Sequence, residues 1–145
     1  MNEILLVNGP NLNLLGSREP DLYGAITLAD IEARTTERAS EHRMTVRSTQ
    51  SNHEGQLIDA IHEAAGNTAG VIINPGGLTH TSVALRDALT AVALPVVEVH
   101  LSNVFAREEF RRHSYISPVA IAVISGAGAR GYEFAVDALA DRLAG

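Results

Sequence analysis

The chain has 145 residues, 46% of them hydrophobic, which is enough to bury a real core in one domain. Its formal net charge of -6, with no basic stripe, argues against nucleic-acid binding and suits a soluble cytoplasmic protein. Cysteine and lysine are both absent, since all 11 positive side chains are arginines; this excludes disulfides, thiolate nucleophiles, Schiff-base catalysis and a P-loop lysine.

No apolar run is long enough to span a bilayer, and no basic segment leads into a long apolar one, so neither a membrane partner nor secretion is expected. Without repeats, linkers or low-complexity tracts, residues 1–145 read as a single catalytic domain. Ile4 to Val7 is a short continuous apolar run, the mark of a strand buried on both faces. A loop rich in Asn and Gly follows, from Asn8 to Gly16, and continues through Arg18 to Tyr23 and Gly24. Thr27 to about Glu41 reads as a helix, with Thr27 as N-cap and Asp30 as the capping-box acid. Met44 to Thr49 alternates and reads as an edge strand. Ser51 and Glu54 give a second capping signal for a helix running to about Ala65. Val71 to Ile73 is another buried strand, ending at Asn74-Pro75-Gly76-Gly77. Then come a helix from about Thr81 to Val92, a strand Val96 to Val99, a short charged helix near Arg107 to His113, a strand Val119 to Ile124 and a helix from about Tyr132 to Leu143. Five strands alternating with helices predict an α/β three-layer sandwich. The length fits a flavodoxin-like parallel sheet in the order 2-1-3-4-5, with ligands bound at the β1/β3 switch point.

The polar residues follow that rule. Asn11, Arg18 and Tyr23 come after strand 1, Asn74 and His80 after strand 3, and His100 and Ser102 after strand 4. Strand alternation puts Glu98 on the side of His100, where it could hold one ring nitrogen and set the tautomer. Tyrosine is a poor base at its ordinary pKa of about 10. A neighbouring guanidinium favours the phenolate, and Arg18 lies in the same loop. Gly16, Pro20 and Gly24 suit a lid that excludes water. A Tyr base, a His acid and Asn groups near an oxyanion together suit elimination of water beta to a carbonyl. Other readings remain for single residues. Asn8, Asn11 and Asn13 also read as turn formers, and Ser102 or Asn103 as a cap. Arg107, Glu108, Arg111 and Arg112 also read as a solvated helix face with a Glu108–Arg112 i,i+4 pair. Zinc held by His80, His100 and Glu98 is a minor alternative. Gly126-Ala127-Gly128-Ala129-Arg130-Gly131 spells G-x-G-x-x-G, but after the last strand, where tight helix packing explains it better than a dinucleotide does. An FMN-binding flavodoxin-like module and another small lyase acting on a polyhydroxy acid remain rivals.

Six segments bear a resemblance to the type II 3-dehydroquinate dehydratases. They are Asn8-Gly9-Pro10-Asn11-Leu12-Asn13-Leu14-Leu15-Gly16; Arg18-Glu19-Pro20 with Tyr23-Gly24; Gln50-Ser51-Asn52-His53-Glu54-Gly55; Ile73-Asn74-Pro75-Gly76-Gly77-Leu78-Thr79-His80-Thr81-Ser82; Glu98-Val99-His100-Leu101-Ser102-Asn103; and Arg107-Glu108-Glu109-Phe110-Arg111. The resemblance implies reversible anti dehydration of 3-dehydroquinate to 3-dehydroshikimate through an enol or enolate, without cofactor, metal or imine. It implies Tyr23 as base, Arg18 as the group lowering its pKa, Asn11 as holder of a water at the enolate oxygen, and His100 as general acid supported by Glu98. It further implies that Asn74, Ser102 and the backbone around Leu101 hold the carboxylate and a neighbouring hydroxyl, that His80 and Arg111 hold ring hydroxyls, and that Asp87 reaches a neighbouring subunit's site. The implied homo-oligomer is a dodecamer of trimers. Phe105 departs from the family's usual His at that position.

Overall fold

The computed structural model describes residues 2–17, 21 and 25–145. Arg18 and Tyr23 therefore lie outside the described residues. The strands are β1 (Asn2–Asn8), β2 (Met44–Gln50), β3 (Gly70–Asn74), β4 (Val96–His100) and β5 (Ala122–Ser125). The helices are α1 (Leu28–Glu41), α2 (Glu54–Glu63), α3 (Val83–Val92) and α4 (Arg130–Ala144). The sheet is parallel, in the order β2-β1-β3-β4-β5, which is the flavodoxin-like arrangement.

The apolar runs are runs because both faces of the sheet are covered. Ile4, Leu6, Ile72, Val97 and Val99 pack with Ile31, Tyr132, Val136 and Leu139 in the α1/α4 layer. Leu5, Val7, Val71, Ile73 and Val96 pack with Leu57, Ile61, Leu85 and Leu89 in the α2/α3 layer. Arg38 on α1 joins the first layer to α4 by a bidentate pair with Asp137, at 2.8 Å on both arms. The capping box of α1 is formed as read: Thr27 Oγ1 accepts from Asp30 N–H at 3.1 Å, and Asp30 Oδ2 accepts from Thr27 N–H at 3.0 Å.

Four local expectations are corrected. Ser51 does not cap α2. Its hydroxyl accepts from His53 N–H and donates to Gln56, so His53 is the N-cap and has no side-chain cap bond. α3 begins at Val83 rather than Thr81, because residues Gly76–His80 form a 3-10 turn and Ser82 caps the helix by accepting from Leu85 N–H. The charged helix near Arg107 is replaced by two 3-10 turns, Val104–Ala106 and Glu109–Arg112, separated by extended backbone at Arg107 and Glu108. Strand 5 starts at Ala122, not Val119. Pro118, which has no N–H to give a ladder, opens the 3-10 turn Ser117–Val119 instead.

Candidate active site

The C-terminal ends of β1 and β3 are held together by close backbone contact. Gly9 N–H donates to Asn74 O at 2.8 Å, and a Cβ on Gly9 would stand 2.3 Å from Pro75 O. Gly76 is in the left-handed region at φ 60, with Pro10 O 3.0 Å from where its Cβ would be. Asn-Gly-Pro and Asn-Pro-Gly-Gly thus interlock at the switch point of the sheet. The cleft above them, of about 170 Å³, takes Asn11 from the first loop, Asn74 and His80 from the second, and His100, Leu101 and Ser102 from the third. Arg107 and Arg111 complete its wall.

β4 supplies the chemistry. Val97 and Val99 face the α1/α4 layer, so Glu98 and His100 share the opposite side. Glu98 is 1% exposed, and an unpaired carboxylate buried there would be expensive. It is fully partnered: Ser117 Oγ donates to Oε1 at 2.8 Å, Ser114 Oγ donates to Oε1 at 3.0 Å, and His100 Nε2 bonds Oε2. Burial alone would raise the Glu98 carboxyl. The His100 bond and charge and the two serine hydroxyls more than offset that and hold it below the usual carboxylate value of 4.5. An ionised Glu98 makes Nε2 the donor, so His100 has Nδ1 for the cleft.

His80 is set differently. Its Nδ1 meets His113 O at 2.7 Å, and a carbonyl can only accept, so Nδ1 carries the hydrogen and Nε2 is the acceptor in the neutral ring. Burial lowers the His80 pKa below 6.5, and the charges of His100 and Arg111 lower it further, against the His113 carbonyl and Glu98. As pH falls below 6.5 the unfolded chain binds this proton first, so the contribution of His80 to stability is lost as pH falls from there to its folded value. A histidine NMR titration should place the His80 midpoint below 6.5; a midpoint at or above it would contradict the assignment of a neutral acceptor.

Arg111 bonds Glu108 at 3.0 Å, and its guanidinium lies 4.9 Å from the Phe110 ring centroid. The pair is i,i+3 rather than the expected Glu108–Arg112, because in a 3-10 turn residues three apart are eclipsed. Arg107, read from the sequence only as part of a solvated face, turns into the cleft and donates to Ser102 Oγ at 3.4 Å. Its signal was only its place a few residues beyond Ser102. Asn103, not Ser102, caps the following turn. Asn8 is not a turn former but the last residue of β1, with a fully buried side chain. Asp87 is not in the cleft; it lies exposed on α3.

The fold and this site define a flavodoxin-like α/β protein with a histidine–carboxylate pair at the ligand edge of its sheet. The chain belongs to the dehydroquinase class II family, whose model matches residues 2–140. It is 62% identical over 141 residues to a 3-dehydroquinate dehydratase of Corynebacterium glutamicum, covering 97% of each chain. A catabolic 3-dehydroquinase 2 of Aspergillus flavus is 59% identical, covering all of this chain and 97% of its own. The crystal structure of a type II dehydroquinase from Propionibacterium acnes superposes with a TM-score of 0.93 at 42% identity, covering 97% of each chain.

Proposed function

We propose that the protein is a 3-dehydroquinate dehydratase, a hydro-lyase that removes water from 3-dehydroquinate by anti elimination through an enolate. The observation that carries this reading is the buried Glu98–His100 pair, with His100 lining a cleft otherwise walled by Asn, Arg, His and Ser groups. Family membership and the names of its relatives support it. Tyr23 takes the C2 proton, and Arg18 favours its phenolate. Asn11 holds the water that stabilises the enolate oxygen. His100, protonated on both ring nitrogens against the ionised Glu98, gives its Nδ1 proton to the departing C1 hydroxyl, with Glu98 fixing the ring. Asn74, Ser102 and the Leu101 backbone hold the carboxylate and its neighbouring hydroxyl. His80 Nε2 accepts from a ring hydroxyl, and Arg111 donates to another. No lysine imine is available to the chain, and the chemistry needs neither cofactor nor metal.

The test is turnover of purified protein on 3-dehydroquinate, read as the near-UV absorbance of the conjugated enone. Turnover unchanged by a chelator, and by borohydride in a separate sample, is expected. A folded sample with no turnover would overturn the assignment.

Asp87 belongs in this reading only if sites are completed between subunits of a homo-oligomer, the proposed dodecamer of trimers. Its exposure on α3, outside the cleft of its own chain, accords with that. Asp87→Ala should impair turnover, and mixing it with Arg18→Ala under subunit exchange should restore part of it. No recovery after verified exchange would count against shared sites.

A further inference from the structure

Tyr132 is the largest fully buried side chain of the molecule's described residues, and no catalytic step above uses it. It enters the core just after the last G-x-G-x-x-G run. The final glycine of that run, Gly131, is where α4 touches the sheet: a Cβ there would stand 3.3 Å from Ile124 Cγ2 and 3.4 Å from Val99 Cγ1. This close approach brings the Tyr132 ring beneath the paired ends of β1 and β3, where Asn8 and Asn74 are register partners. The phenol bridges them. It donates to Asn8 Oδ1 at 2.7 Å and accepts from Asn74 Nδ2 at 2.9 Å.

The polarity of this chain is determined. A phenol has one proton, and Asn8 Oδ1 takes it, so toward Asn74 the oxygen can only accept. At the other end of the Asn74 amide, Oδ1 accepts from Gly76 N–H at 3.2 Å. Both ends of the amide are thereby pinned, and one Nδ2 hydrogen stays unspent on a residue that lines the cleft. Burial pushes the Tyr132 phenol well above its ordinary value, against the opposing bond from Asn74, so the proton stays in place at any pH where the protein works.

A second observation concerns Asn8. Its Nδ2 is buried with no hydrogen-bond partner among the described residues. A sealed, unpaired donor destabilises the fold; an apolar side chain of the same size would remove that donor but leave the Tyr132 hydroxyl without its acceptor. An asparagine there carries the unpaired donor while supplying the acceptor for the Tyr132 proton. We infer that Tyr132, through its bridge from Asn8 to Asn74, is a positioning residue that locks the Asn74 amide as a hydrogen-bond donor to the anionic end of the substrate. The inference rests on the dehydratase reading above, and it concerns ground-state binding rather than proton transfer.

The test is steady-state kinetics on 3-dehydroquinate with thermal melting of the same samples. Wild-type turnover is the check on the function itself: its absence would sink that reading and this one with it, whereas an unchanged KM in the variants of an active enzyme sinks this one alone. Given wild-type turnover, Tyr132→Phe should raise KM by about tenfold, the weight of one hydrogen bond to a charged group, with kcat within about threefold. Asn8→Leu trades one unpaired buried donor, the Asn8 amide, for another, the Tyr132 hydroxyl that loses its acceptor, so it should melt near wild type and still raise KM. A purely structural role would give the opposite pattern, seen in a control such as Leu139→Ala: a lower melting temperature with KM unchanged. KM at the wild-type value in Tyr132→Phe, or in Asn8→Leu should the first variant not fold, overturns the inference. So does a loss of kcat larger than the rise in KM.

Discussion

His100→Ala should lose roughly 10²–10⁴ of kcat while the substrate's C2 hydrogen still exchanges with deuterated solvent. The variant deletes the acid and leaves the base. Enolate formation continues, the C1 hydroxyl leaves slowly, and the enolate returns to substrate carrying solvent deuterium. Glu98 remains buried and has the Ser114 and Ser117 hydroxyls, so the fold survives with a reduced melting temperature. Glu98→Gln is the milder partner. It keeps the shape but offers His100 an amide in place of a charge, which removes what fixes Nε2 as donor; a loss on the order of 10² is expected, the lower end of what a positioned general acid contributes. The pH dependence supplies an independent check. Because the folded Glu98 titrates below 4.5, its ionised form stabilises the protein above that value, and the contribution is lost as pH falls through the folded value. Wild type should therefore lose stability relative to Glu98→Gln only below pH 4.5. Wild-type turnover in His100→Ala would remove His100 as the acid.

Much of this architecture is legible in the sequence, for identifiable physical reasons. A strand covered on both faces must be apolar at every position, so Ile4–Val7 and Val71–Ile73 were unmistakable. The single charge in β4 stood out against that background, and period-two alternation alone paired it with His100. The Thr27–Asp30 box is a purely local device, and it formed as written. The segment from Val104 to Val119 was misread because its conformation is tertiary. Arg107 turns inward to Ser102, and Ser114 and Ser117 are drawn to a carboxylate more than a dozen residues earlier, so no helical or strand period survives. Tyr132 was invisible for a related reason. It occupies an apolar position of an amphipathic helix, where any large side chain satisfies the pattern, and its meaning is a hydroxyl contact with Asn8 at a sequence separation of 124.

Tyr23→Phe should abolish turnover as thoroughly as His100→Ala and, unlike it, should stop C2 exchange. Phenylalanine keeps the ring and removes only the oxygen, so what disappears is the capacity to accept a proton. Loss of a positioned base costs roughly 10²–10⁴ in rate. If Arg18 acts by favouring the phenolate, Arg18→Ala should restore a tyrosine of ordinary pKa, about 10, with activity recovering in part as pH rises toward that value. Tyr23→Phe should show no such recovery at any pH. Because the ring is kept, circular dichroism and melting temperature should stay close to wild type. The two exchange patterns also order the reaction. Exchange without dehydration in His100→Ala, and neither in Tyr23→Phe, means that proton removal precedes departure of the hydroxyl and that an enolate lies between them. Exchange lost in both variants would mean a concerted elimination with no such intermediate. Near-normal turnover in Tyr23→Phe would eliminate the phenolate as base and send the search to the other groups around the cleft.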